Sequence, residues 1–286
     1  MIKNFSYFIF NIIAIFDKLL FLFFKRSFLI YFGDKFNSYL YIRRKINSKV
    51  FKFFTPNSIT RWRANTLEKE EPKTIRWIEN FNKTSKDLIF WDIGANIGLY
   101  SLYSAKIHKN IKVISFEPSP SNLRVLSRNI SINNLHNKIT IFQIPLTDKG
   151  NAFLQMNESK FMEGWAMHTF GQNTGLDGKK LITENKYKIF GTSIKNILDN
   201  KILEIPNYIK IDVDGIENLI LAGAKNYLDS KKIRSIMIEV DENYKTQVNQ
   251  IQRIMKKYNF SLKGKHNLPH TDKKFDKTFN YLYEKK

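Results

Sequence analysis

The chain has 286 residues, and 43% of them are hydrophobic, enough to bury a sizeable core, so a globally disordered protein is excluded. It contains no cysteine, which excludes disulfides, thiolate metal ligands and a cysteine nucleophile, and which is compatible with a reducing cytosol. The net charge of +21 is uneven: residues 1–65 carry 12 basic and 2 acidic side chains, and residues 253–286 carry 10 and 3. The near-neutral middle argues against a general anion-binding surface.

The N-terminal segment is apolar, aromatic and basic. Residues 5–24 have the length of a membrane span, but Asp17 and Lys18 interrupt them, and each charge costs roughly 2.5–3.5 kcal/mol at a bilayer centre. Basic residues then alternate with aromatic ones, a mixture typical of a helix in the headgroup region of an anionic membrane. A helical arm packed on the domain or on a second subunit fits the same residues. We expect residues 1–85 to form a helical extension, with membrane contact through residues 1–54 as one of these two interpretations.

From residue 86 onwards, apolar runs alternate with helical patterns. The runs are continuous, as expected of strands that are buried on both faces. The predicted strands are Leu88–Ile93, Val113–Phe116, Ile139–Ile144, Tyr208–Val213 and Ile233–Val240. Strand–helix alternation of this kind predicts an α/β fold with a doubly wound, mostly parallel sheet over residues 86–286.

Two segments depart from this alternation. Residues 150–192 contain the glycine-rich and polar stretch GWAMHTFGQNTGLDG, and we expect an inserted hairpin or lid there. Near the end of the chain, Phe260–Leu262 and Phe279–Tyr283 predict an antiparallel pair that closes the sheet.

The stretch WDIGANIGLY follows the first predicted strand, and ligands of doubly wound sheets bind beyond the carboxyl ends of the strands. Asp92 ends that strand, and Gly94 and Gly98 let the backbone approach a ligand closely. Glu117 ends the second strand, where a carboxylate can accept both hydroxyls of a ribose. A dinucleotide site would instead need G-x-G-x-x-G to hold a pyrophosphate, which the leading acid here would repel. The pattern indicates S-adenosylmethionine, which carries a ribose, an ammonium and a sulfonium but no phosphate.

A cluster of acids lies in IKIDVDGIENLILAGA, residues 209–224, where Asp212, Asp214 and Glu217 crowd the end of the fourth strand. Capping of the following helix explains part of this cluster, but three carboxylates exceed what capping needs. A general base assists the methylation of a hydroxyl, so these three acids and His168 in the predicted lid are the catalytic candidates. The spacing of the acids demands no metal, although a divalent ion bound by them is an alternative. If the acceptor group were a carboxylate instead of a hydroxyl, its methylation would need no general base.

Five motifs in this order resemble the FkbM family of S-adenosylmethionine-dependent methyltransferases: DIGANIGLYSL, FEPSPSNLRVLSRNI, IPLTD, IKIDVDGIENLILAGA and IEVD. The resemblance covers residues 86–262 and implies a Rossmann-like class I methyltransferase fold, a seven-stranded sheet with an antiparallel last strand. It also implies methyl transfer, usually to an oxygen of a sugar or other secondary metabolite. The family commonly has D-V-E-G where this chain has Asp212-Val213-Asp214-Gly215, which keeps the charge on a shorter side chain.

The resemblance assigns roles by position in the motifs. The implied contacts with the methyl donor are Asp92, Gly94, Asn96, Gly98 and Glu117, with Thr147 and Asp148 near the adenine. The implied partner is a small-molecule or glycan acceptor, and contact with a membrane favours a lipid-linked glycan. We expect a cytoplasmic enzyme, which lies peripherally at the inner face of the membrane if residues 1–54 contact lipid.

Two other classes stay open. An RNA methyltransferase would explain the positive charge, but the Asn/Asp-Pro-Pro-aromatic motif of amino-methylating enzymes is absent. Basic ends with a near-neutral middle also suit nucleic acid poorly. A non-catalytic membrane-associated protein on the same scaffold is the third class.

Overall fold

The computed structural model describes residues 1–82, 87–267 and 276–286. The chain divides into two compact units, Met1–Ile42 and Arg43–Lys286. The larger unit therefore begins well before residue 86, where the sequence analysis placed the domain boundary. The reason is that the segment after Arg43 shares the core of the sheet unit: the backbone N–H of Phe54 donates to Asn129 Oδ1 at 2.8 Å, and Trp77 Nε1 donates to Ser235 Oγ at 2.8 Å.

The predicted helical extension over residues 1–85 is not helical throughout, because Tyr41–Ile46 and Lys49–Phe54 are strands. The smaller unit is helical. It contains α1 (Ile2–Phe24), α2 (Phe28–Phe36) and a single 3₁₀ turn (Asn37–Tyr39). Lys25 ends α1 in the left-handed conformation, with φ of 54°, which allows the chain to turn before α2 begins. Among the described helices, α1 is the one whose length and mean hydropathy, 2.0, are those of a membrane span.

The larger unit alternates strands and helices. Its strands are β1 (Tyr41–Ile46), β2 (Lys49–Phe54), β3 (Leu88–Ile93), β4 (Ile111–Phe116), β5 (Ile139–Phe142), β6 (Ala152–Glu158), β7 (His168–Phe170), β8 (Asn185–Gly191), β9 (Tyr208–Ile211), β10 (Ser235–Asp241), β11 (Phe260–Asn267) and β12 (Thr278–Lys285). Its α-helices are α3 (Ser58–Glu70), α4 (Pro72–Glu79), α5 (Leu99–Ile107), α6 (Pro120–Ile132), α7 (Ile194–Asp199), α8 (Glu217–Ala224) and α9 (Lys245–Lys257).

Seven strands form the central sheet in the order β11-β12-β10-β9-β3-β4-β5. The neighbours from β10 to β5 are parallel, whereas β12 is antiparallel to both β10 and β11. The predicted doubly wound class I methyltransferase sheet, with its antiparallel last strand, is confirmed. From β3 the chain winds outwards through β4 and β5, and from β9 it winds the other way, so the switch point lies between the carboxyl ends of β3 and β9.

The central strands are buried along their whole length. All six residues of β3, all four of β9 and all seven of β10 are buried. Helices cover both faces of a parallel sheet, which explains why these strands read as continuous apolar runs. Burying a side chain such as Trp91, Ile211 or Ile238 stabilises the fold by roughly 1.5–3 kcal/mol, and this core fixes the strand ends that face the switch point.

Residues 150–192, predicted as an inserted hairpin or lid, form a sheet of their own. Strand β6 lies in the middle, antiparallel to β7 on one side and to β8 on the other. The register pairs Glu158 with His168, and the loop of residues 159–167 joins these two strands.

Candidate functional site

A cavity of about 300 Å³ lies at the switch point of the central sheet. Its walls come from the ends of β3, β4 and β9, from α3, and from the loop between β6 and β7 together with β7. The inserted sheet therefore contributes to the same cavity as the strand ends of the central sheet.

Gly94 explains the tight turn after β3. Its φ is +87°, and a Cβ at this position would lie 1.7 Å from the backbone oxygen of Asp212. The loop after β3 thus touches the end of β9 so closely that only glycine fits. Gly98, with φ of +86°, precedes α5, and a Cβ there would lie 2.5 Å from Leu126 Cδ1. Of these two predicted donor contacts, Gly94 lines the cavity, whereas Gly98 serves the packing of α5 against α6.

Asn96 joins three parts of the site. It adopts the left-handed conformation, with φ of 50°, and its backbone N–H donates to Glu117 Oε2 at 2.8 Å. Its side-chain Nδ2 donates to the backbone oxygen of Trp165 at 3.0 Å. The first loop, the second strand end and the inserted segment are therefore linked through one residue that lines the cavity.

Glu117 is a buried carboxylate on the cavity wall, as predicted from its place at the end of the second strand. Its Oε2 accepts from Asn96 N and its Oε1 accepts from Ser119 N at 2.8 Å. Burial raises the pKa of Glu117 to about 7, although both backbone N–H groups favour the ionised form. The carboxylate also accepts from the Asn122 side chain, and its remaining acceptor capacity is open to a hydroxyl.

Asp92 lies behind the cavity wall and is not among its lining residues. Its Oδ2 accepts from Ser101 Oγ at 2.5 Å, and its Oδ1 has no hydrogen-bond partner in the described part of the chain. Burial raises the pKa of Asp92 to about 6. The geometry thus departs from the predicted direct donor contact: the side chain of this strand residue points into the protein, under α5.

Thr147 and Asp148, predicted to lie near the adenine, are also outside the cavity lining. The backbone oxygen of Thr147 packs so closely on α8 that a Cβ on Gly223 would lie 2.3 Å from it. The wall in this region is formed by Ile144, Pro145 and Leu146, which come sooner after the end of β5. These apolar residues offer a planar base the contacts that were assigned to Thr147 and Asp148.

Asp212 lies in the cavity wall within a buried charge network. Its Oδ2 pairs with Lys210 Nζ, and Glu239 donates to it from the neighbouring strand. Although burial opposes ionisation, the Lys210 ammonium and these hydrogen bonds hold the pKa of Asp212 below its ordinary value. Burial and the adjacent carboxylate of Asp212 raise the pKa of Glu239 well above the ordinary range. Asp212 is therefore ionised at neutral pH, and Glu239 is the member of the pair whose protonated form is favoured.

Asp214 connects the end of β9 to the inserted segment. It adopts the left-handed conformation, with φ of 62°, and its Oδ2 accepts from the backbone N–H of Met167 at 2.7 Å. Burial and the charge of Asp212 raise the pKa of Asp214 to about 6, although the backbone N–H groups of Met167 and His168 lower it. The side chain lines the cavity and fixes the strand that carries His168.

Glu217 does not fit its predicted catalytic role. Its Oε1 accepts from the backbone N–H groups of Val213 and Gly215 at 3.1 Å, and its Oε2 accepts from Gln247 Nε2 at 2.7 Å. The side chain is fully buried and does not line the cavity, because the helix start turns it back under its own loop. Glu217 is a structural residue that caps the turn before α8.

His168 lines the cavity and is 9% exposed, so it is not a surface histidine. Neither ring nitrogen meets the geometry of a hydrogen bond in the described part of the chain, although backbone groups of Trp165 and Met167 lie close to the ring. Burial lowers the pKa of His168, although the carboxylate of Glu158, paired with it across the strands, raises it. The ring is therefore neutral at pH 7 and has a nitrogen free to accept a proton.

The loop between β6 and β7 is held over the cavity by contacts with four other parts of the larger unit. The backbone N–H of Gly164 donates to Asn122 Oδ1 at 2.8 Å, and its oxygen accepts from Arg63 Nε at 2.6 Å. Together with the contacts of Asn96 and Asp214, these bonds attach the loop to the cavity wall.

Three contributors to the site were missed by the sequence analysis. Lys210 lies two residues before Asp212 on the same face of β9, a spacing that could have identified it. Tyr100 lies under the Lys210 ammonium, with 4.7 Å between Nζ and the ring centroid. Arg63 comes from α3, outside every motif, and the sequence carries no signal for it. Among the residues described, no group of three or more His, Asp or Glu is arranged to hold a metal ion.

Residues 92–262 match the family described as the methyltransferase FkbM domain, which is more than half of the chain. The chain belongs to the FkbM methyltransferase family. The FkbM domain thus begins at the end of β3, includes the inserted sheet and ends within β11, whereas α3 and β12 lie outside the matched range.

One curated relative is a methyltransferase, sdnD of Sordaria araneosa, which is 28% identical over 170 residues. The match covers 53% of the present chain and 65% of the relative, so the chain spans less than two thirds of that protein.

Solved structures with a similar fold are more distant. A precorrin-6y C5,15-methyltransferase of Geobacter metallireducens is 12% identical, with a TM-score of 0.43 over 75% of this chain and 88% of that one. An rRNA methylase of Streptococcus thermophilus is 12% identical, with a TM-score of 0.46 over 76% and 96%. TrmK of M. capricolum, solved with S-adenosyl-homocysteine, is 11% identical, with a TM-score of 0.43 over 74% and 67%.

Family membership assigns S-adenosylmethionine to the cavity of this FkbM-family protein, and the residues present fit that cofactor. The Gly94 turn leaves the backbone open where a Cβ would clash, and Glu117 presents carboxylate oxygens to hydroxyl groups. The acids around the cavity suit a cationic ligand, and Ile144, Pro145 and Leu146 offer an apolar surface to a base.

Proposed function

We propose that this protein transfers a methyl group from S-adenosylmethionine to a hydroxyl oxygen of a sugar, glycan or secondary metabolite. The observation that carries the proposal is His168: a neutral, buried imidazole without a hydrogen-bond partner lines the same cavity as Gly94 and Glu117. The FkbM domain supports the methyl transfer, and the unpartnered base supports oxygen as the acceptor atom.

The donor half of the cavity consists of the residues after β3 and at the end of β4. Glu117 would hold the ribose hydroxyls, the Gly94 turn would lie against the donor, and Asp212 and Asp214 would face its positive groups. When bound, S-adenosylmethionine supplies an electrophilic methyl group on a positively charged sulfur. Holding the acceptor oxygen in line with that methyl group contributes about 7–11 kcal/mol through positioning.

The acceptor half requires a group that takes a proton. A sugar hydroxyl is barely ionised at neutral pH, and a positioned base contributes roughly 10²–10⁴-fold to the rate. Asp212 is engaged by Lys210 and Glu239, and Asp214 is engaged by the backbone of the lid. We therefore assign the base to His168, whose free ring nitrogen would take the hydroxyl proton as the carbon–oxygen bond forms and the methyl carbon–sulfur bond breaks, with S-adenosylhomocysteine as the leaving group.

The test combines binding and turnover. Calorimetry of the purified full-length protein with S-adenosylmethionine measures donor binding, and labelled donor incubated with glycan and small-metabolite fractions measures methyl transfer. His168→Ala is expected to retain donor binding within about threefold and to lose about 10²–10⁴-fold in kcat. The matched control is His136→Ala, which removes an exposed histidine and should leave both quantities unchanged.

The pH dependence of kcat, measured with the donor saturating, gives an independent check. The wild-type rate should rise with pH through a pKa below the ordinary value of His, about 6.5, because burial favours the neutral ring. An unchanged kcat in His168→Ala would overturn the assignment of the base. A purified protein that binds no S-adenosylmethionine would overturn the methyltransferase itself, and label transferred to RNA instead of glycans would favour the nucleic-acid alternative.

A further inference from the structure

The smaller unit, Met1–Ile42, exposes an unusual amount of apolar surface. Of the 29 large hydrophobic residues that are exposed in the described part of the chain, 21 lie in this unit. Phe8, Phe10 and Phe24 are 60%, 57% and 70% exposed, for example. A contiguous apolar surface of this kind marks a site of interaction with a protein or a membrane.

The exposed residues surround α1 instead of forming one stripe. Phe5, Phe8, Ile12 and Ile15 follow one another at helical spacing on one side, and exposed apolar residues also occupy the other sides. Asp17 is the one buried residue of the helix. A helix that packs on a protein needs a single apolar face, whereas a helix that is apolar all round suits surroundings that are apolar all round.

The length of α1 also matches a bilayer. Its 23 residues extend about 34 Å at 1.5 Å per residue, against a hydrocarbon core about 30 Å thick. Basic residues lie at both ends, with Lys3 in the first turn and Lys25 and Arg26 directly after the last one. Cations at this depth face the headgroups, where anionic lipids attract them.

Asp17 was the main argument against insertion, and the structure changes that argument. Its Oδ2 accepts from Ser27 Oγ at 2.7 Å, and its Oδ1 accepts from the backbone N–H groups of Phe28 and Leu29 at 2.7 and 3.3 Å. The carboxylate therefore binds the start of α2, where the helix dipole favours negative charge. A polar group that is satisfied within the chain is far less costly to remove from water. The neighbouring Lys18 has a long side chain that can reach the interface.

We propose that Met1–Ile42 is a membrane anchor, in which α1 lies in the hydrocarbon of a lipid bilayer and Asp17 fastens the start of α2 to α1. The occupant of the apolar surface is the bilayer itself. This inference concerns a different part of the chain from the cavity and does not depend on the proposed reaction.

The test uses the full-length protein, purified in detergent and reconstituted with vesicles of phosphatidylcholine and phosphatidylglycerol. The protein should float with the vesicles after washing with alkaline carbonate and with about 1 M salt, where the Debye length is about 3 Å and surface attraction is screened. Vesicles of phosphatidylcholine alone should retain it as well, because burial of apolar surface, and not charge, holds an inserted helix.

Matched variants identify the segment that inserts. The double variant Phe8→Asp, Ile12→Asp should lower the vesicle-bound fraction about tenfold or more, because carboxylates near the centre of a bilayer are strongly disfavoured. The control is Phe153→Asp, Ile182→Asp, which makes the same changes at exposed residues of the larger unit and should float like the wild type. Circular dichroism of the two double variants checks that each of them is folded.

Three results would overturn the anchor. The first is release of the wild-type protein by salt, which would leave only a peripheral contact. The second is equal flotation of the α1 variant and its control. The third is a defined dimer without vesicle binding, which would make a second copy of the chain the partner of this surface. Donor binding measured on the same samples keeps failure of the anchor distinct from failure of the enzyme.

Discussion

The carboxylate of Asp214 accepts a hydrogen bond from the backbone N–H of Met167 at 2.7 Å. Asp214 follows the fourth strand of the parallel winding, and Met167 precedes the strand that carries His168. This bond places the proposed base over the cavity, because it fastens the start of β7 to the loop after β9.

Asp214 should make the stability of the protein depend on pH. Burial raises its pKa to about 6 in the folded protein, so the folded state holds the proton more tightly than the unfolded chain does. The resulting stabilisation is complete below about pH 4 and is lost as the pH rises through about 6. Asp214→Asn should therefore reduce the fall in the free energy of unfolding between pH 4 and pH 7 by about 1–3 kcal/mol. Chemical denaturation across this range measures it, with the exposed Asp148→Asn as control. Identical slopes for Asp214→Asn and wild type would contradict the prediction.

Gly94 should tolerate no side chain. A Cβ would lie 1.7 Å from the backbone oxygen of Asp212, and the positive φ adds strain for any other residue. Gly94→Ala should lower the free energy of unfolding by about 2–5 kcal/mol and abolish donor binding. Thermal unfolding with and without S-adenosylmethionine measures both effects. Gly33→Ala is the control, since a Cβ there meets nothing within 4 Å, and equal behaviour of the two variants would refute the close approach.

Glu117 should make donor binding sensitive to pH. Burial raises its pKa to about 7, and only the ionised carboxylate accepts hydrogen bonds at both oxygens from ribose hydroxyls. The Kd of S-adenosylhomocysteine should therefore increase as the pH falls below about 7, by up to about tenfold per pH unit. In Glu117→Gln, calorimetry should give weaker binding that does not vary with pH over this range. Glu184→Gln, which changes an exposed carboxyl, should show the same dependence of Kd on pH as the wild type. A wild-type Kd that does not vary with pH would exclude the role of Glu117.

Glu217 should matter for stability and not for turnover. Glu217→Ala leaves the backbone N–H groups of Val213 and Gly215 and the Gln247 side chain without their acceptor, and should lower the free energy of unfolding by about 3–5 kcal/mol. Glu217→Gln keeps an acceptor oxygen, so it should unfold at a smaller cost and retain kcat within about threefold. Urea unfolding measures the effect on stability, and steady-state kinetics measures the effect on kcat. A large loss of kcat in a stable Glu217→Gln that still binds donor would restore the catalytic role.

Local chemistry explains how much of the fold the sequence predicted. Continuous apolar runs identify strands buried on both faces, and the glycines and asparagine of the loop after β3 identify a turn that few other residues can form. The predicted strand Leu88–Ile93 matches β3 residue for residue, and the closing pair Phe260–Leu262 and Phe279–Tyr283 lies within β11 and β12. These features depend on neighbours in the chain, so a single sequence contains them.

The direction of each side chain at the strand ends was decided by the tertiary structure. Asp212 and Asp214 face the cavity while Glu217 turns away, because the left-handed conformation of Asp214 redirects the chain just before α8. His168 reaches the cavity only because the inserted sheet closes over it. The sequence alone did not predict how far His168 lies from the acids at the strand ends.

The sequence by itself therefore determined the order of strands and helices, the loop that approaches the donor and the family to which the chain is similar. Only the tertiary structure decided which acids line the cavity, that Lys210 compensates Asp212, and that Asp17 has partners at the start of α2. The physical reason is that periodicity and turn chemistry act over a few residues, whereas burial, ion pairing and the pKa of a carboxyl depend on groups that packing brings together from distant parts of the chain.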